Sequence, residues 1–153
     1  MAVEKPVLLA RPHAFIVNQM RPFLLEAGYA PLGAQSLEHL AEVLKGSFRG
    51  AIISTAVSST VAADAATVFR LVREKWPTLP VVFAGMADAA TMRLTAERAV
   101  KALVSSPVLA TPQDYRAGLA QDRPSTFLVL RKEDLLPGAS HEAALRALRS
   151  HFG

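Results

Sequence analysis

The sequence predicts an α/β fold: a doubly wound, parallel, five-stranded sheet carrying an extra strand and helix at its C-terminal end. Three observations carry this expectation. Short continuous apolar runs at residues 7–10, 51–54 and 81–84 have the pattern of strands buried on both faces. Segments between them repeat their apolar residues at helical spacing. The interval from Val81 to the next apolar run fits a strand-helix-strand unit, whose right-handed crossovers place helices on both faces of a parallel sheet.

The elements follow in order. Residues 7–10 (VLLA) form the first strand, and Pro12 ends it. Ile16, Met20, Phe23, Leu24 and Ala27 then share one helical face, Gly28 stands where a C′ glycine closes a helix, and Pro22 is expected to kink this helix or to start its better-formed half. Residues 29–34 contain a proline and suit a sheet edge. Ser36 offers an N-cap to a second helix, with Leu37, Leu40, Ala41 and Leu44 on one face and Gly46 as its stop. After the strand at 51–54 comes a hydroxyl-rich loop. Ala65, Val68, Phe69, Val72 and Trp76 make the buried stripe of a third helix, with Arg70, Arg73 and Glu74 toward water and Pro77 and Pro80 beyond its end. The strand at 81–84 leads to a helix over 89–100 that turns Met92, Ala96 and Ala99 inward.

Leu103 and Val104 are then expected as the fifth strand. A competing register takes TFLVLRKEDL (126–135) as the end of that strand and KALVSS (101–106) as an inserted strand; the interval from Val81 favours Val104. A short helix over 112–120, a strand over 127–130 and a last helix with Leu145, Leu148 and Phe152 on its apolar face complete the chain. One domain over 1–153 is expected, with a core over 5–120 and a strand-helix extension over 121–153.

Composition narrows the function classes. At 153 residues and 51% hydrophobic, the chain is long enough for one well-buried core and too apolar for disorder. No apolar run approaches the length of a membrane span, the first residues lack a signal-peptide core, and the cytoplasm is the expected location. Zero cysteines exclude disulfides, thiolate metal sites and a cysteine nucleophile. The net charge of +4 is scattered along the chain and not interleaved with aromatic residues, so nucleic-acid binding is not expected. Neither phosphate-loop motif, GxxxxGK[ST] or GxGxxG, occurs. His13, His39, His141 and His151 show no metal-ligand spacing and no triad pattern, so neither a metal nor any other cofactor is expected.

VLLARPHA (7–14), LLEAGYAP (24–31), LPVVFAGM (79–86) and KALVSSP (101–107) together resemble a response-regulator receiver domain, a bacterial two-component signalling module with a flavodoxin-like sheet. The resemblance implies a pair of acidic residues after the first strand, a phosphorylated aspartate ending the third, a Ser or Thr ending the fourth and Lys-Pro ending the fifth. This chain departs at each place. Arg11 and Pro12, with His13 beside them, stand for the acidic pair, Ser54 or Thr55 for the aspartate, Gly85 for the hydroxyl and Ser106 for the lysine; only Pro107 is kept.

Receiver phosphorylation needs a carboxylate nucleophile and a hard Mg²⁺ ion held by carboxylate oxygens. An arginine at the ion's place and an unactivated hydroxyl at the acceptor's place provide neither. The resemblance therefore implies a degenerate pseudo-receiver: a non-enzymatic signalling or scaffolding domain, not phosphorylated on aspartate, that works through a protein partner from a signalling or localisation system, with a homodimer left open. Arg93, Glu97 and Lys101 form an i, i+4 stripe on the fourth helix, the helix that carries docking contacts in receivers, and are the first candidates for that surface. The alternative is a sensor in which Arg11, Pro12, Ser54, Thr55, Ser58, Ser59, Gly85 and Ser106 hold a small anion or nucleotide at the carboxyl edge of the sheet. Against it, loop Ser and Thr hydroxyls mostly cap helices and satisfy local backbone groups.

Overall fold

The structure is a computed structural model that describes residues 5–56, 59–116, 118 and 125–153, the side chains of 14–16 excepted. Six strands run parallel in one sheet: β1 (Pro6–Arg11), β2 (Ala30–Gly33), β3 (Gly50–Ser54), β4 (Val81–Gly85), β5 (Val108–Ala110) and β6 (Thr126–Arg131), in the order β2-β1-β3-β4-β6-β5. Among the described residues six helices accompany them: α1 (Ala14–Ala27), α2 (Leu37–Val43), α3 (Ala65–Lys75), α4 (Ala89–Val100), the short α5 (Lys132–Leu135) and α6 (His141–Phe152).

Alternation along each strand divides the core. Leu8, Ala10, Ala51, Ile53, Phe83 and Phe127 join the cluster under α2, α3 and α4, while Val7, Leu9, Ile52, Val82, Leu128 and Leu130 join the cluster under α1, α5 and α6. Both faces are covered, so the central strands are apolar throughout, as a doubly wound sheet requires. The helix boundaries have local causes. Gly28 at φ 98° donates its N–H to the carbonyls of Leu24 and Leu25 and closes α1, which runs unbroken through Pro22. Ser36 caps α2 by accepting from the His39 amide at 3.0 Å. Asp64 and Asp88 do the same for α3 and α4, accepting from the amides of Thr67 and Thr91 at 2.8 Å.

The structure departs from the sequence expectation at several places. Leu103 and Val104 are not a strand: residues 101–103 are a turn that ends α4, with Leu103 exposed. The neighbour of β4 is β6, in register from Val81–Phe127 to Gly85–Arg131, as the competing register has it; β5 is added outside β6. The physical reason is burial. TFLVL in β6 is buried on both faces, whereas β5 is only three residues long and begins on an exposed Val108, which suits an edge. Secondly, Arg73 does not face water: its guanidinium lies over the rings of Phe69 and Phe127, 5.2 and 5.9 Å from their centroids, and donates to the Leu79 carbonyl at 2.5 Å. Burial lowers its pKa to about 10. Thirdly, residues 112–114 form a turn at the start of the helix expected over 112–120, and residues 117, 119 and 120 lie outside the described residues. On α2, Ala41 is exposed while Leu40 and Leu44 carry the buried face.

α6 is seated on the sheet. Arg149 donates to the Glu26 and Ala27 carbonyls at the open end of α1, both at 3.3 Å, and the fully buried His151 lies 2.9 Å from the Val81 carbonyl. The ring of Phe152 covers Gly50 so closely that a Cβ there would lie 2.2 Å from its Cε1 atom. Gly50→Ala is therefore expected to lower unfolding free energy by about 1–3 kcal/mol, through overpacking. In a Phe152→Leu background the cost should be smaller, and a urea-denaturation double-mutant cycle measures that coupling.

Candidate functional site

The carboxyl edge of β1, β3 and β4 is where an open parallel sheet of this order places its ligands. Arg11, the last residue of β1, is buried there at 4% exposure. Its guanidinium donates to three backbone carbonyls of the loop after β3: Nη1 to Ser54 at 2.8 Å and to Ala56 at 2.5 Å, and Nε to Ala63 at 2.7 Å. Three oxygens that would otherwise face an apolar neighbourhood thus share one fixed cation, and the loop is held against β1. Burial lowers the Arg11 pKa from its ordinary value, with Asp64 opposing that shift.

The loop hydroxyls are turned inward. Ser54 is buried and its Oγ accepts from the Ala56 amide at 3.1 Å. Thr55 Oγ1 lies 3.3 Å from the Met92 sulfur and 3.5 Å from the Ala84 carbonyl. Ser59 Oγ donates to the carbonyl of the buried Pro12 at 2.5 Å, and Thr60 Oγ1 donates to Ala34 at 2.8 Å. Among the described residues neither Ser54 nor Thr55 is hydrogen bonded to an imidazole or carboxylate, so none of these supplies a base to raise its nucleophilicity. At Gly85 a Cβ would meet Thr55 Oγ1 at 2.2 Å and the Met92 sulfur at 2.7 Å; the space a hydroxyl residue would need is filled.

Arg11, Pro12, Ser54, Thr55, Ser59 and Gly85 are thus brought together, and Ser58 lies outside the described residues. Ser106 is not part of this group. It is exposed and precedes β5, at the opposite edge of the sheet from the mouth. The residue paired with Gly85 on the adjacent strand is Arg131, which ion-pairs with Glu133 at 3.4 Å, so a cation does stand at the end of the strand beside β4, followed by Lys132 and not by Pro107.

Two acidic residues escape the sequence reading. Asp64 lines a cavity of about 370 Å³ together with Arg11, Thr55, Thr95 and Arg98, so the mouth is not free of carboxylates. Hydrogen bonds from the side chain and amide of Thr67 hold its carboxyl below the usual range, and Thr91 acts likewise on Asp88 through its amide and side chain. Both carboxylates are spent on helix caps. Among the described residues no three His, Asp or Glu side chains gather as a metal site. A signal was present: the tetrapeptide DAAT occurs at 64–67 and again at 88–91, each time with Asp in the capping position. On α4, Arg93, Glu97 and Lys101 are exposed, but Arg93 pairs with Asp114 in the turn after β5 and not with Glu97.

No family model matches the chain, and no curated protein matches it. Solved structures do. The receiver domain of NtrX from Brucella abortus is similar at 15% identity and TM-score 0.58, over 97% of this chain and 98% of that one. A response regulator receiver protein from Sinorhizobium medicae gives 18% identity and TM-score 0.55, with 98% of each chain covered. The signal receiver domain of an HD domain-containing protein from Pseudomonas fluorescens gives 10% and 0.56, over 99% of this chain and 88% of that one. The chain has the receiver fold. Against longer NtrX structures it spans 27% of their length. In the receiver fold, whose strand order is 2-1-3-4-5, β2-β1-β3-β4-β6 supplies the five strands and β5 is a sixth at the edge.

Arg11→Met, which keeps the aliphatic stem and deletes the charge and donors, is expected to cost about 2–4 kcal/mol in urea unfolding, because three carbonyls lose a charged donor. Ser59→Ala, which removes one neutral hydrogen bond, should cost about 1 kcal/mol.

Proposed function

We propose that this domain is a pseudo-receiver: a non-enzymatic signalling or scaffolding module, not phosphorylated on aspartate, that acts through a protein partner in a bacterial two-component or localisation system. The observation that carries the reading is Arg11, a buried guanidinium hydrogen bonded to the Ser54, Ala56 and Ala63 carbonyls in the mouth where a receiver needs a divalent cation. A second cation entering there would meet this fixed positive charge at short range in a region of reduced dielectric. The acceptor position carries a hydroxyl without a base, and the fourth-strand position is a glycine with no room for a hydroxyl side chain.

An anion sensor at the same mouth is the weaker reading, since the Arg11 donors are already engaged and Asp64 adds negative charge to the cavity. With the chemistry gone, shape and surface remain. The exposed Glu97 and Lys101 on α4, beside the β5 edge, are the proposed docking residues, and a second copy of the chain is a candidate occupant as much as a different protein.

Incubation with acetyl phosphate and Mg²⁺, read by intact-protein mass, should yield no phosphorylated species, and Mg²⁺ alone should leave the melting temperature unchanged. A stoichiometric, Mg²⁺-dependent adduct overturns the proposal. For the surface, a partner captured by the native domain should be lost from a Glu97→Lys, Lys101→Glu variant of unchanged stability.

A further inference from the structure

Away from the mouth, a cleft of about 390 Å³ separates α6 from the turn after β5, and Gln113, Tyr115, Arg116, Arg146, Ala147 and Ser150 line it. Its size is that of a small-molecule site. Two arginines line it, and among the described residues neither Arg116 nor Arg146 has a hydrogen bond or ion pair. Among the described residues no acidic residue lines the cleft. Asp114, the nearest acid in sequence to Arg116, is drawn elsewhere, its Oδ2 accepting from Arg93 and from Thr111 Oγ1. Glu142, one turn before Arg146 on α6, is exposed and not paired with it.

Both arginines are carried by fixed backbone. Arg146 sits in the middle of α6, whose buried face is anchored in the core. Arg116 follows Tyr115, whose hydroxyl lies 2.9 Å from Nδ1 of His151, while His151 Nε2 lies 2.9 Å from the Val81 carbonyl. A carbonyl only accepts, so a neutral His151 carries its proton on Nε2 and accepts a hydrogen bond from the Tyr115 hydroxyl at Nδ1. Tyr115 is thereby tied to the sheet, one residue from Arg116. Two like charges lining one cleft, with no counter-charge among the described residues, are an unfavourable arrangement that a bound anion relieves, and the guanidinium fork matches phosphate oxygens in pairs. Gln113 and Ser150 add neutral polar groups to the wall.

We propose that this cleft binds the phosphate group of a small phosphorylated metabolite, with Arg116 and Arg146 as the two anion-holding residues. The site shares no residue with the mouth and does not depend on how the mouth is read. The test is an NMR and calorimetric titration of the full chain, at fixed ionic strength, with inorganic phosphate, adenosine 5′-monophosphate and citrate. Saturable binding of the phosphate compounds is expected, with shifts confined to residues 112–116 and α6. The Arg116→Ala, Arg146→Ala double variant should bind at least about tenfold more weakly, the loss of two charge-assisted contacts. Arg98→Ala, at the mouth, should stay within about twofold of the native affinity. Melting curves should match, because both arginines are exposed; should the double variant unfold, the single Arg116→Gln and Arg146→Gln variants read the same loss. Absence of saturation up to about 10 mM, unchanged affinity in the double variant, abolition by Arg98→Ala, or tighter binding of citrate than of the nucleotide each overturns the proposal.

Discussion

A buried guanidinium with three carbonyl partners is the constraint around which the mouth of this sheet is organised. Arginine stays charged at any ordinary pH, and a charge removed from water must be met by strong acceptors or it destabilises the fold. Arg11 finds them in the loop after β3, and the loop in turn finds its missing donors in Arg11. The two deficits cancel. A receptive metal pocket needs the opposite arrangement, oxygens left over for an ion, and the proposed pseudo-receiver reading rests on that contrast.

The second organising feature is burial in the middle of the sheet. A position between two strands and two helical layers accepts only a segment that is apolar on both faces over several residues. β6 meets that condition, with Phe127 on one side joining the Phe69 and Phe83 rings and Leu128 and Leu130 on the other joining α1 and α6. β5 does not, and it ends at the edge. α6 packs against β6, and at its end Gly50 of β3 supplies the flat spot that the Phe152 ring occupies.

Much of the fold was legible in the chain itself. The double-buried runs, the Gly28 cap, the Ser36 cap and the Val68–Phe69–Val72 stripe are local features, each decided within a turn or two of backbone. The inward use of the loop hydroxyls was legible for the same reason, since Ser and Thr in loops reach first for nearby backbone groups. The orientation of Arg73 was not. Its position on the helix reads as solvated, and only the packing of Phe69 and Phe127 beneath it and the Leu79 carbonyl ahead of it draw it in.

By itself, then, the sequence determined the fold class, the alternation of strands and helices and most caps. The tertiary structure alone decided which apolar run lies beside β4, that Ser106 falls at the far edge from the mouth, and that Arg116 and Arg146 share a cleft. The division has one physical cause. Periodicity and capping are read over a few residues, whereas strand order and charge convergence depend on contacts between segments tens of residues apart, settled by a competition for burial that no single segment records.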